Sequence, residues 1–240
     1  MSWPSASTAG HHHHFGSFER ESGWGEDDFD LAEAEEFLSL ANWSVLKNPD
    51  CSNHMRSQLH RNFGKLYSAQ GRLEEALVEL AKDIYCASLE VGPEHIDTSA
   101  GYYHAASIFY TQHRIENALA FYDKVVDIWY KCLAAVLSNG PGAAQPPALS
   151  DAKGSEGIDM LGQILRRREE CVGETNIATG ESYYILGLLQ QYMQQHSSAA
   201  TCIRAALAIY QNQLGPEHRS TKDVATSLAQ LESSSSSADS

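Results

Sequence analysis

Apolar residues recur between about 31 and 232 at the three-and-four spacing of amphipathic helices, separated by short polar or glycine-bearing breaks. Leu73, Ala76, Leu77, Leu80 and Ile84 form one such stripe, with no proline inside it. Shifting the chain by 42 residues places Leu31, Glu33, Ala34 and Leu38 on Leu73, Glu75, Ala76 and Leu80, and these on Ile115, Glu116-Asn117, Ala118 and Tyr122. A shift of 81 aligns Val91-Gly92, Ile96, Thr98, Tyr102 and Tyr103 with Val172-Gly173, Ile177, Thr179, Tyr183 and Tyr184. A shift of 123 superposes Gly92-Pro93-Glu94-His95 on Gly215-Pro216-Glu217-His218. The three shifts share a period of about 41 residues, the mark of a repeat architecture.

Each unit predicts a pair of helices. In the clearest one, a first helix spans about Ser57 to Ala69, the chain turns at Gln70-Gly71-Arg72, and a second helix carries Ala76, Leu80 and Ile84. Small residues recur where two helices must approach: Gly64, Ala106 and Gly187 on first helices, Ala76, Ala118 and Ala199 on second helices. Gly-Pro ends a second helix, and Asp97 or Thr98, like Ser220 or Thr221, is placed to cap the helix that follows.

The run Phe63-Gly64-x-x-Tyr67 with Ala76 and Leu80 resembles the tetratricopeptide repeat, and the longer period with its Gly-Pro-Glu-His linker resembles the variety found in kinesin light chains. The expected fold is therefore all-α, a tetratricopeptide solenoid over 31–232 between disordered ends at 1–30 and 233–240. Asn48 to Tyr67, with Asp83 to Ser88 and Gly101 to His104, resembles the repeat region of the zinc finger MYND domain-containing protein 12 family. That resemblance implies a ciliary or flagellar axonemal protein, an accessory subunit of a single-headed inner-arm dynein. The implied partners are the dynein heavy chain and a second tetratricopeptide protein. The paired cysteines of a MYND finger are absent from this sequence, so only the repeat half is matched. The alternative is a kinesin-light-chain-like cargo adaptor, although no heptad coiled coil precedes residue 31.

One repeat is defective. Residues 138–150, where a first helix is due, read Ser-Asn-Gly-Pro-Gly-Ala-Ala-Gln-Pro-Pro-Ala-Leu-Ser, and an interior proline costs a helix about 3 kcal/mol. The Gly/Pro-rich interruption is taken to run over 138–157. The following stripe of Ile158, Leu161, Ile164 and Leu165, with Gly157 at the small position, is left without a mate from its own repeat. Two readings stand: neighbouring helices close over the gap, or a partner's helix occupies a site on those four residues.

Composition narrows the chemistry. The 240 residues hold 17 Lys+Arg against 31 Asp+Glu, and the net charge of −14 opposes nucleic acid and anionic lipid. Nine acids and one base lie between Glu19 and Glu36, which with His11 to His14 makes an acidic, His-rich arm. No run reaches the roughly 18 apolar residues of a membrane span, and a cytoplasmic location is expected. Cys51, Cys86, Cys132, Cys171 and Cys202 form no CxxC pair, so neither disulfide nor structural zinc is expected. There is no nucleophile elbow, phosphate-binding glycine loop or HExxH. The expectation is a non-catalytic scaffold without cofactor or metal, an enzyme or metal-binding protein being the third class.

Such a solenoid presents its first helices on a concave face. Their exposed positions are Gln58, Arg61, Asn62, Lys65 and Ser68, then Tyr103, His104, Ser107 and Tyr110, then Glu181, Tyr184, Ile185 and Leu188. That face grades from basic to aromatic to apolar and lacks the lysine and asparagine set that clamps a chaperone's terminal carboxylate. A partner segment with an acidic end and apolar anchors would complement it.

Overall fold

The computed structural model describes residues 26–138 and 149–238. Among them the secondary structure is nine helices: α1 Glu26–Lys47, α2 Asn53–Ala69, α3 Leu73–Val91, α4 Ile96–Thr111, α5 Ile115–Ser138, α6 Asp151–Val172, α7 Ile177–Tyr192, α8 His196–Leu214 and α9 Arg219–Ala238. All but the α5–α6 connection are three to five residues long, which turns successive helices back on one another. The tightest pairs are α2 with α3, α4 with α5, and α7 with α8.

Those pairs close on the small residues. A Cβ on Gly64 would lie 2.7 Å from Leu80 Cγ, and one on Gly187 would lie 2.6 Å from Ile203 Cγ1, so a side chain at either place would force the helix axes apart. The turns within pairs put Gly71, His113 and Gln194 at φ of 75°, 58° and 61°, and the links after α3, α6 and α8 use Gly92, Gly173 and Gly215 at 99°, 95° and 87°.

The caps differ from expectation. His95 Nδ1 accepts from the Asp97 N–H at 3.2 Å and His218 Nδ1 from the Ser220 N–H at 3.2 Å, so the linker histidine caps the helix. Thr98 is buried and donates instead to the Gly92 carbonyl at 2.8 Å, as Thr179 does to Gly173. A side chain one residue outside the helix reaches its free N–H groups, whereas one already inside points back along the link.

Element bounds also shift. Residues 26–30, assigned from composition to the arm, are the first turn of α1, while 1–25 lie outside the described residues. The serine tail is helical to Ala238, because Val224 and Leu231 anchor α9 and extending a formed helix through serine costs little. The helix after the Gly/Pro segment begins at Asp151, not 158, capped by Ser150 Oγ, which accepts from the Lys153 N–H at 3.3 Å; 139–148 lie outside the described residues.

The largest core runs through α4, α5, α6 and α7. Trp129 is fully buried there, its Nε1 donating to Ser99 Oγ at 3.2 Å. Gly157 lies against the Trp129 ring, where a Cβ would come within 2.4 Å.

α6 takes the empty place itself. Lys153 Nζ is 3.3 Å from Asp97, Tyr103 Oη donates to Gln163 Oε1 at 2.7 Å, and Tyr110 Oη donates to Glu170 Oε2 at 2.7 Å. The partners advance together along both helices, so α6 runs parallel to α4 and beside it. Leu161 and Ile164 are at 0% exposure and Leu165 at 8%, with Ile158 packed against the same core. The partner-helix site expected on Ile158, Leu161, Ile164 and Leu165 is therefore already covered by this chain, as burial of large apolar side chains worth about 1.5–3 kcal/mol each requires.

Candidate functional site

Of the expected concave face, the part between α2 and α4 survives as a groove. Gly64, Lys65, Ser68, Ala69, Leu80, His104, Ser107 and Ile108 line a depression of about 280 Å³. The side chains of Lys65 and Asn62 are exposed, with no hydrogen bond or ion pair among the described residues, and that of Gln58 bonds only the neighbouring His54, at 2.9 Å. His104 is half-buried on the groove wall. Burial, then the charges of Lys65 and Arg61, hold its pKa down at about 3, which keeps the imidazole neutral.

Arg61 does not belong to the open surface. Its Nε and Nη2 donate to the two carboxylate oxygens of Asp83 at 2.8 and 3.1 Å, and Nη2 also donates to the Asp97 carbonyl at 3.0 Å. Asp83 is fully buried and needs this cation, so the charge is consumed in tying α2 to α3 and α4. Tyr103 and Tyr110 face α6 rather than a ligand, the Arg167 guanidinium sitting 4.1 Å over the Tyr110 ring. Ser107 Oγ bonds back to the Tyr103 carbonyl at 3.0 Å, and Leu188 is core. The basic-to-aromatic-to-apolar gradient is broken at α6.

Tyr184 lies in a different place. With Glu181 and Ile185 of α7 it joins Asp123, Val126, Asp127 and Tyr130 of α5 and Tyr210 of α8 around a notch of about 210 Å³. Sequence reasoning missed this constellation because its members come from three helices and from both positions of the repeat. Its α7 side, Glu181, Tyr184 and Ile185, is among the positions expected on the concave face; the residues of α5 and α8 that complete it are not.

Elsewhere the chemistry is sparse. Burial raises the thiol pKa of Cys86, Cys132, Cys171 and Cys202, which disfavours the nucleophilic thiolate. Among the described residues, no three of His, Cys, Asp or Glu converge in a way that would hold a metal ion, and no helix is long and apolar enough to cross a membrane.

No family model matches the chain. Among solved structures it is similar to the crystal structure of BtubC (BKLC) from P. vanneervenii, with a TM-score of 0.36 and 15% identity over 89% of this chain and 85% of that one. So loose a likeness leaves the architecture to be read from the helices themselves: among the described residues, packed helix pairs with a groove between α2 and α4 and a notch further along.

Proposed function

We propose that this chain is a tetratricopeptide-type scaffold without catalytic chemistry of its own, and that the α2/α4 groove receives an acidic segment of a partner protein. The carrying observation is Lys65, an exposed cation at the wall of the groove with no ion-pair partner among the described residues, while Arg61 one turn earlier on the same helix is spent on Asp83. The sequence resemblance supplies the setting: an accessory subunit that docks or assembles a single-headed inner-arm dynein in the ciliary axoneme, beside the heavy chain and a second tetratricopeptide protein. A surface of this kind suits assembly, since it offers charge and shape without a reacting group.

Affinity purification of the tagged protein from detergent-stripped axonemes tests the reading. Wild type should retain a dynein heavy chain, and Lys65→Glu should reduce that recovery at least tenfold with an unchanged melting temperature. Arg61→Glu is not an equivalent probe, because uncovering buried Asp83 costs roughly 3–5 kcal/mol and unfolds the site. Absence of dynein from the wild-type eluate defeats the axonemal assignment; full recovery with Lys65→Glu moves the interface away from the groove.

A further inference from the structure

The notch between α5, α7 and α8 is a second concavity, and its lining is mainly aromatic and acidic. Tyr130, Tyr184 and Tyr210 supply aromatic walls, and Asp123, Asp127 and Glu181 supply the charge. Two of the carboxylates are already answered: Arg168 bonds Asp123, and Lys131 Nζ is 2.7 Å from Asp127. Glu181 is not. It is accessible to solvent, yet enough protein surrounds it to raise its pKa, and among the described residues no side chain hydrogen-bonds or ion-pairs with it. Tyr210 retains only 7% exposure, lines the notch, and its hydroxyl has no hydrogen-bond partner among the described residues. Burial, Glu181 and the other two tyrosines all raise its pKa, so the hydroxyl stays protonated and its oxygen stays free to accept. Tyr184 is fixed differently, its hydroxyl 2.9 Å from Ser227 Oγ of α9, which sets the plane of that wall.

A carboxylate with no direct ion-pair partner among the described residues, the charge of Arg168 acting on it only from a distance, a tyrosine hydroxyl open to the notch and three tyrosine rings call for a single cation with N–H groups to donate. Unanswered carboxylate charge repels an anion, and the carboxylates do not converge as metal ligands would. The volume, about 210 Å³, is below the roughly 300–1,000 Å³ of pockets that enclose whole small molecules, and suits one long side chain. Between the two basic side chains, a planar guanidinium both stacks on tyrosine and bonds a carboxylate with two parallel N–H groups, whereas an ammonium does only part of this. We infer that the notch is a receptor for an arginine side chain of a partner polypeptide, with Glu181 binding the guanidinium and Tyr130, Tyr184 and Tyr210 enclosing it. This deepens the scaffold reading by giving the molecule a second recognition point of opposite sign to the α2/α4 groove, and it rests on that reading only for the partner that carries the arginine.

The probe is argininamide, titrated into the protein carrying ¹³C-labelled tyrosine rings and followed by NMR. Saturable shifts confined to Tyr130, Tyr184 and Tyr210 are expected. Citrullinamide, its neutral isostere, should bind at least tenfold more weakly, and lysinamide should fall between. Glu181→Gln should weaken argininamide at least tenfold while leaving the melting temperature unchanged, since that carboxylate holds no other residue. Equal binding of citrullinamide, no loss with Glu181→Gln, or the absence of saturable shifts at the three rings overturns the inference. The titration uses no axonemal partner, so the notch and the dynein assignment fail independently.

Discussion

His104 sets part of the response to acid. An unfolded histidine titrates near 6.5, but the folded chain holds this one at about 3, so below 6.5 the unfolded state takes up a proton that the folded state refuses. Its contribution to stability is therefore complete above pH 6.5 and is lost progressively as pH falls toward 3. Between pH 7.5 and 5.5, above the carboxylate range, wild type should lose about 1 kcal/mol more than His104→Gln; urea midpoints at the two pH values check this, and identical slopes would place His104 in ordinary solvent. Arg61 marks how far sequence reasoning reaches at this scale. Its helix and its side of that helix follow from spacing alone, but its engagement does not, because Asp83 and the Asp97 carbonyl lie 22 and 36 residues away. Arg168 makes a matching tie from another helix, donating to the Ala178 carbonyl at 2.6 Å and Ser182 Oγ at 2.7 Å while its Nε finds no partner among the described residues.

At the scale of elements, the helix pairs were legible because Gly64, Ala76 and Leu80, or Gly187 and Ala199, specify their own contact within one short turn. α6 was legible as a helix but not in its placement. Periodicity assigns a helix the neighbours of its sequence, and here the Gly/Pro segment removes the usual neighbour. What seats α6 is its packing against α7 and the covered faces of Leu161 and Ile164, with two tyrosine hydroxyls 60 residues away, at Tyr103 and Tyr110, bonded to it. The amide hydrogens of 158–171 should accordingly exchange in the isolated monomer as slowly as those of the α5 core around Val125 to Trp129, when measured by mass spectrometry. Fast exchange there would mean that α6 does not hold its seat beside α4 without help.

The whole molecule depends on the same junction. Because one core passes from α4 to α7, damage at its centre reaches both halves. Gly157→Leu, which drives a side chain into the Trp129 ring, should cost at least the roughly 1–3 kcal/mol of ordinary overpacking. Trp129 fluorescence and far-ultraviolet circular dichroism should both move to lower urea. A change in one signal alone would show two independently folding halves. The notch escaped sequence reading at this scale too, since only the complete stack brings Asp123, Glu181 and Tyr210 to one cavity.

The seat of α6 has a topological consequence. Helices alternate up and down, and the chain has moved on by one helix where its repeat calls for two, so its parity is inverted from that point. α4 and α7 carry the same code 81 residues apart, yet α7 runs opposite to α4 and stands beside α5, while α4 stands beside α6. Residues that an alignment of the repeats would stack in one column therefore do not share a surface: Tyr103 is turned inward to Gln163, and its counterpart Tyr184 looks into a cavity toward Tyr130. A single skipped helix has let one repeated text be read from both sides of the page.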